Sequence, residues 1–311
     1  MLIIFESILP IFLLVLLGVG LKRSPLIAPS FWGGMEQFGY FVMFPALLFH
    51  TLATTDLTGF ESVGVGLVSL IAVLIMSAVS LALWPVLKAA GMGGPAFTSI
   101  FQTANRWNGF MALAIAEKLT GPQGLAIIAV IMATIIIPVN LINVGVMVWF
   151  SGQSRDLRTF ALRIITNPII IGSLAGVAVN LLHVPLYEPL MTTVDLVARA
   201  SLGLGLITVG AGLRIADALR PQPSVLLSVF LKLVLFPIVS VAIAVVFGFS
   251  QETILMIALG AAVPTAMNGY LLAKQMGGDA DLYAAAATVQ TVAAFFTIPA
   301  VLTLVTYAPG G

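Results

Sequence analysis

The sequence predicts an all-α membrane protein with ten transmembrane helices, built as two inverted five-helix repeats in which the broken helices 4 and 9 cross. Three observations predict this fold. The chain is 60% hydrophobic and 8% charged, whereas a soluble domain has roughly 25% charged residues. Ten apolar runs approach the length of about 20 residues that a bilayer requires. Two Asn-Gly-aromatic triplets interrupt the corresponding run in each half of the chain.

The ten runs are joined by short connections that carry Gly, Pro or charge, so we expect no separate soluble domain. The first run has no basic leader and no convincing cleavage site, and we interpret it as a retained span rather than a signal peptide. The predicted spans are 2–21, 34–53, 62–88, 95–118, 123–150, 162–182, 191–213, 223–247, 251–275 and 281–307.

The basic residues are distributed unequally between the two sides of the predicted bundle. Lys118 and Arg199 fall on one side. The other side receives Lys22, Arg23, Lys88, Arg155, Arg158, Arg163, Arg214, Arg220 and Lys274. Because cytoplasmic loops collect Lys and Arg, we expect both termini to lie outside the cell membrane.

Composition also excludes several functions. The chain has no cysteine and a net charge of +1, which excludes disulfides and thiolate metal sites and gives no reason to expect a nucleic-acid partner. No catalytic motif and no phosphate-binding glycine loop occurs. We therefore expect no enzyme activity, no metal and no cofactor.

The two halves resemble each other at an offset of about 160 residues, as inverted-repeat transporters do. Asn108-Gly109-Phe110 matches Asn268-Gly269-Tyr270, and Pro138 and Pro299 fall late in spans 5 and 10. Five spans is an odd number, so the second repeat must be inserted upside down. The alternative is that Pro and Gly recur in membrane helices without any duplication.

The interruptions in spans 4 and 9 predict a binding site near the membrane midplane. Glycine adopts backbone angles closed to other residues, and Pro264 removes an amide donor. Each half-helix that begins there presents unpaired N–H groups and a positive dipole end, which suit a carboxylate. The candidate substrate-binding residues are Asn105, Arg106, Asn108, Gly109, Pro264, Thr265, Asn268 and Gly269.

Two basic residues are predicted deep in the membrane, where a charge is costly and usually functional. Arg106 lies about 16 Å along its helix from Pro95, and its guanidinium matches a carboxylate. It could instead pair with another protein group or face a water-filled vestibule. Lys232 could hold an anion, replace a coupling cation or release a proton, or it could extend its amine to the membrane surface.

Two further groups of polar residues have structural explanations. Asp195 and Arg199 are four residues apart and predict a helix pair. Thr288, Gln290 and Thr291 in span 10 could face the interruptions or hydrogen-bond between helices.

Several motifs together resemble the auxin efflux carrier family over essentially the whole chain. They are Leu9-Pro10-Ile11-Phe12 with Gly18 and Gly20, Phe44-Pro45-Ala46-Leu47-Leu48-Phe49, Asn167-Pro168-Ile169-Ile170, and residues 203–213 with Gly203, Gly205, Gly210 and Gly212. The resemblance implies the ten-helix inverted-repeat fold of the bile acid–sodium symporters. It implies a scaffold of residues 1–58 and 158–218 and a transport domain of residues 59–157 and 219–311. The glycines of span 7 suggest close packing, including a homodimer through scaffold helices.

Relatives in this family include plant auxin exporters and bacterial malate or malonate permeases. The resemblance therefore implies a secondary transporter of organic carboxylates that works by an elevator mechanism. Whether transport is coupled to protons stays open. Plant exporters carry Asn-Pro at both interruptions, whereas Asn108 and Asn268 precede Gly here. The short 151–161 connection favours a bacterial-type permease in the inner membrane. The alternatives are a sodium-coupled bile-acid-type symporter, or a membrane sensor or scaffold that transports nothing. Sodium-coupled relatives use a carboxylate in the ninth span, and none lies between Glu252 and Asp279 here.

Overall fold

Every regular element among the described residues of the computed structural model is helical. These residues are 2–54, 60–150, 162, 165–166, 168–213, 221–267 and 269–307. Asn268 and the arginines Arg155, Arg158, Arg163, Arg214 and Arg220 lie outside them. The all-helical class predicted from the sequence is confirmed for the part of the chain that is described.

Fourteen α-helices and two π-helical turns follow one another along these segments. The first half contains α1 (Leu2–Arg23), α2 (Pro29–Phe38), a π turn (Gly39–Met43), α3 (Phe44–Thr54), α4 (Phe60–Ala82), α5 (Trp84–Ala89), α6 (Gly94–Asn105) and α7 (Gly109–Phe150). The second half contains α8 (Pro168–Leu181), α9 (Glu188–Gly212), α10 (Pro223–Phe230), a π turn (Leu231–Leu235), α11 (Phe236–Val246), α12 (Gln251–Ala262), α13 (Gly269–Gln275) and α14 (Ala280–Tyr307).

Within the described ranges, five helical stretches are long and apolar enough to cross a membrane, and the protein is an integral membrane protein. They are Val63–Ala89, Gly94–Phe150, Glu188–Gly212, Pro223–Val246 and Ala280–Tyr307, with shorter apolar helices at Ile170–Leu181 and Gln251–Ala262. The count of ten spans and their inverted pairing stay predictions.

The long helix α7 contains the boundary that the sequence predicts between spans 4 and 5. Gly121 has a φ of 66° and a ψ of −146° there, which is non-helical backbone. A left-handed φ suits glycine because it has no Cβ. Pro122 follows and lacks the N–H that a continuous helix would need. Two helical segments therefore meet at Gly121, although hydrogen bonding continues on both sides.

Both π turns stand directly before a Phe-Pro pair. Gly39–Met43 precedes Phe44-Pro45, and Leu231–Leu235 precedes Phe236-Pro237. Proline cannot donate to the carbonyl one turn earlier and its ring clashes with it, so the preceding turn widens. The second of these turns carries Lys232.

The helices pack in two groups. In the first group α1 packs on α9 and α3 packs on α8, while α2 and α3 also contact α9. In the second group α4 packs on α7, α11 on α12, and α14 on α6, α10, α12 and α13. The first group holds the residues assigned to the scaffold and the second those assigned to the transport domain. That domain division stays a prediction.

Backbone contact at glycine holds the first group together. A Cβ on Gly18 would overlap the carbonyl oxygen of Ile207, and one on Gly210 would overlap that of Val15. A Cβ on Gly172 would lie 2.8 Å from the carbonyl oxygen of Pro45. Small residues allow such close approach in membrane bundles. Gly210 thus has its close neighbour within the same chain, and the homodimer stays a prediction.

Candidate functional site

The first break, residues 106–108, separates α6 from α7. Helix α6 ends at Asn105, and Arg106 is extended, with a φ of −77° and a ψ of 158°. Asn108 caps the next helix, since its Oδ1 accepts a hydrogen bond of 3.2 Å from the Met111 N–H. Asparagine is a favoured N-cap residue for this reason. The interruption therefore lies where the Asn-Gly pair predicts it.

The second break, described over residues 263–267, separates α12 from α13. Helix α12 ends at Ala262, and Val263 is extended, with a φ of −66° and a ψ of 148°. Pro264 and Thr265 are buried. The Thr265 hydroxyl lies 3.0 Å from the hydroxyl of Tyr283, which donates to the Ala266 carbonyl at 2.6 Å. A Cβ on Gly269 would overlap that Tyr283 hydroxyl, so only glycine fits where α13 begins.

The two breaks contact each other. The backbone N–H of Asn108 donates to the carbonyl of Pro264 at 2.8 Å. In continuous helices these two groups would be paired with residues one turn away. Each break thus satisfies a backbone group that the other leaves open, as burial away from water requires. The structure therefore brings Asn105, Arg106, Asn108 and Gly109 next to Pro264 and Thr265.

The crossing of the breaks contains buried donors without a partner in the described part of the chain. Asn108 is 2% exposed and its Nδ2 has no hydrogen-bond partner among the described residues, and the same is true of Nε2 on the fully buried Gln102. Arg106 is 8% exposed and donates from Nε to the Gln102 Oε1 at 3.2 Å. No carboxylate forms a salt bridge with Arg106 among the residues that the structure describes. The available groups are all donors, which suits an acceptor-only ligand.

Asn105 is engaged within the protein. Its Oδ1 accepts a hydrogen bond of 3.1 Å from Ser77, and its Nδ2 donates to the Phe101 carbonyl at 2.8 Å. Asn105 also lines a cavity of about 20 Å³ together with Trp107, Ser240 and Phe236. This volume holds about one water molecule. Direct ligand binding by Asn105 would require these two hydrogen bonds to break and be replaced by bonds to the ligand.

Lys232 is completely buried, so the interpretation that its amine reaches the membrane surface is wrong. Its Nζ lies 4.2 Å from the centroid of the Phe236 ring. It has no hydrogen-bond partner in the described part of the chain. Phe236 also lines the cavity beside Asn105 and Trp107. Contact with an aromatic face stabilises a buried cation but replaces only part of the solvation that it would have in water.

The beginning of α7 also contacts the first helix group. The ring of Phe110 lies 4.3 Å from that of Phe44 in α3. A Cβ on Gly205 in α9 would overlap the Phe110 ring, and a Cβ on Gly109 would lie 2.9 Å from Phe44. The residues after the first break thus lie directly against the other group of helices.

Two features of the site were not singled out from sequence. Gln102 supplies the acceptor for Arg106 from one turn earlier in α6, and that i, i+4 spacing is visible in the sequence. Tyr283 reaches the second break from α14, and no local pattern indicates that contact.

The predicted Asp195–Arg199 pair is confirmed, with Arg199 Nε 2.7 Å from Asp195 Oδ2, and His50 Nε2 lies 3.7 Å from Asp195 Oδ1.

Within the described ranges, no group of three or more His, Cys, Asp or Glu side chains is placed to hold a metal ion. The chemistry that the described residues offer at the breaks is that of amide, guanidinium, hydroxyl and backbone N–H groups.

Comparison with known proteins identifies similar sequences. Residues 153–302 match the model of a family described as membrane transport protein. The chain is 23% identical over 172 residues to the uncharacterized transporter YfdV of Escherichia coli strain K12, of Escherichia coli O157:H7 and of Shigella flexneri. Each match covers 54% of this chain and 54% of the relative. The chain therefore spans about half the length of the relatives it matches.

Proposed function

The chain belongs to the membrane transport protein family, which is the family of the auxin efflux carriers, and we propose that it is a secondary transporter of organic carboxylate anions. The proposed substrates are small carboxylates of the malate, malonate or auxin type. The proposed binding site lies where the two breaks cross, at Arg106, Asn108 and Gly109 on one side and Pro264, Thr265, Asn268 and Gly269 on the other.

The observation that carries this proposal is the set of donors without partners at the first break. Gln102 Nε2 and Asn108 Nδ2 are buried and have no partner within the described ranges, and within those ranges the Arg106 guanidinium donates only to the neutral Gln102. A buried donor without a partner costs about 1–3 kcal/mol. A bound carboxylate would accept from several of these groups at once and remove that cost, whereas an ammonium ligand could not.

The charged side chains that the structure describes favour an anionic ligand over a cationic one. Arg106 and Lys232 are the buried charged side chains among the described residues. Two basic groups favour a ligand of negative charge. We assign Arg106 to the carboxylate and Lys232 to charge balance or proton linkage, and we assign Asn105 to the polar groups of the ligand through exchange of its present bonds.

The proposed mechanism is an elevator. The residues of the first helix group would stay in place, and those of the second would carry the crossing of the breaks across the membrane. Ten spans in two inverted repeats, both termini outside and residence in the bacterial inner membrane complete this proposal. The contact of Phe110 with Phe44 and Gly205 would then lie on the sliding surface.

Transport into proteoliposomes tests the proposed function. We would measure uptake of malate, malonate, pyruvate and indole-3-acetate, with sodium replaced by choline in a parallel series. We expect saturable uptake of at least one carboxylate without sodium, and a loss of apparent affinity of about tenfold or more in Arg106→Ala and Asn268→Ala. Lys274→Ala is the control, because Lys274 is exposed.

The other outcomes contradict parts of the proposal. Uptake that requires sodium would favour the bile-acid-type symporter. Specific stabilisation by a carboxylate without any flux would favour a sensor or scaffold. Unchanged uptake in Arg106→Ala and Asn268→Ala would remove the proposed site.

A further inference from the structure

Gln290 in α14 connects both breaks through one side chain. It is fully buried. Its Oε1 accepts a hydrogen bond of 2.9 Å from the Thr265 N–H in the second break. Its Nε2 donates at 3.1 Å to the carbonyl of Thr103 in the last turn of α6, and at 3.1 Å to the carbonyl of Ser228 in α10.

The breaks leave two of these backbone groups, the Thr103 carbonyl and the Thr265 N–H, without their usual helical partners. In a continuous helix the Thr103 carbonyl would accept from residue 107, but α6 ends at Asn105. The Thr265 N–H would donate to residue 261, but α12 ends at Ala262. A carboxamide has an acceptor at one end and two donors at the other, so it can pair with both groups at once.

The same amide also fixes the helix that carries Lys232. Ser228 lies one helical turn before Lys232, and its carbonyl and hydroxyl both lie within reach of Gln290 Nε2, at 3.1 and 3.3 Å. Seven residues earlier on α14, Tyr283 holds Ala266 in the second break. Residues seven apart lie on the same face of a helix, so α14 presents one face of hydrogen-bonding side chains to the second break.

We propose that Gln290 is the positioning residue of the carboxylate site, because its amide sets the separation of the two breaks and thereby the place of Arg106 relative to Thr265. The proposal rests on the proposed function only for its effect on ligand affinity. Its structural part concerns the backbone of both breaks and does not depend on transport.

The first test is hydrogen exchange on the wild-type protein in detergent. We expect the Thr265 amide to exchange slowly although it belongs to an irregular segment, since its N–H is buried and paired. Exchange at the rate of an open loop would overturn the proposal without any variant. This arm gives an answer even if no carboxylate binds.

The second test compares Gln290→Met and Gln290→Asn with Thr291→Val. Methionine fills the volume without the amide, and asparagine keeps the amide but is too short to reach both breaks. Thr291 is equally buried, and its hydroxyl bonds to the Ala287 carbonyl of its own helix. We expect both Gln290 variants to accelerate exchange at residues 104–109 and 263–267, and Thr291→Val to leave it unchanged.

Malate binding and uptake complete the test. We expect the Gln290 variants to raise the apparent KM for malate about tenfold or more, with folded protein recovered as judged by size-exclusion chromatography. Wild-type affinity in Gln290→Met, or exchange at both breaks equal to wild type, would overturn the proposal. If wild type binds no carboxylate, the proposed function fails, and the exchange measurements alone decide the role of Gln290.

Discussion

Asn108 uses the two ends of its side-chain amide differently. The oxygen caps α7 through the Met111 N–H, whereas the nitrogen is buried and has no partner among the residues that are described. Its backbone N–H pairs with Pro264 in the other break. Helix capping and ligand binding can therefore be separated at this residue by choosing a side chain that keeps only the oxygen.

Asn108→Ser is expected to fold normally and to bind carboxylate about tenfold more weakly or worse, because serine keeps a capping oxygen and lacks the amide donor. Asn108→Ala should in addition lose about 1 kcal/mol of stability with the cap. Thermal unfolding and malate affinity measure the two effects. Asn140→Ser is the control, since the Asn140 amide donates within its own helix. Equal affinity in Asn108→Ser and wild type would contradict a ligand role for the Asn108 amide.

The residues of the site differ in how far sequence can predict them. Glycine after asparagine marks each break because the local backbone requires it, so the interruptions and the burial of Arg106 could be predicted. Gln290 could not be chosen over Thr288 or Thr291, because its partners Thr265 and Thr103 lie 25 and 187 residues away in the chain. Only the packing of α14 against both breaks distinguishes the three residues.

Helix α9 has two nearby glycines with different surroundings. A Cβ on Gly205 would overlap the ring of Phe110, while one on Gly203 would meet nothing within 4 Å. Sequence predicts close packing for the whole glycine series and cannot tell which members contact another helix. Gly205 is the one that faces the element immediately after the first break.

Gly205→Ala is expected to slow carboxylate transport while malate affinity stays near wild type. The added methyl group would push Phe110 against Phe44, and overpacking of this kind costs about 1–3 kcal/mol. Transport rate and equilibrium binding, measured on the same preparations, separate the two effects. Gly203→Ala should transport as wild type does. The interpretation fails if the two glycine variants transport at the same rate.

Contacts within the first helix group depend on backbones that nearly touch. Gly18 in α1 lies against the carbonyl of Ile207 in α9, and Gly210 lies against that of Val15. Helices without a hydrophobic driving force between them are stabilised by such close packing. The group should therefore lose stability as a whole when one of these contacts is obstructed.

Gly18→Ala is expected to destabilise the protein by about 1–3 kcal/mol, because backbone atoms cannot move aside as a side chain can. Gly20→Ala is its matched control two residues away, since a Cβ there meets nothing within 4 Å. Thermal unfolding in detergent measures both. Identical unfolding midpoints for the two variants would show that α1 and α9 are not held by this contact.

The orientation of the whole molecule can be tested directly because the chain has no cysteine. Lys88 and His183 are exposed, and the ten-span prediction places Lys88 inside and His183 outside. An impermeant maleimide should label His183→Cys in intact cells and Lys88→Cys only after permeabilisation. Labelling of both variants, or of neither, in intact cells would contradict the predicted topology.

Sequence predicts the helical class and membrane insertion of the whole molecule because both depend on composition and the length of apolar runs. It also predicts the Gly121-Pro122 turn region between spans 4 and 5. The grouping of α1 with α9 and of α3 with α8 depends on pairs such as Gly18 with Ile207, which are far apart in the chain. Such contacts cannot be obtained from periodicity alone.

The hydrogen bond from Asn108 to Pro264 affects how the protein is made. A ribosome completes the first break long before Pro264 is synthesised, so the Asn108 N–H enters the membrane ahead of its acceptor. An unpaired amide in hydrocarbon costs several kcal/mol, and water or the insertion machinery must stabilise it during that interval. The Asn108 N–H is therefore paired within the protein only when Pro264, two residues after the end of α12, has been synthesised and inserted.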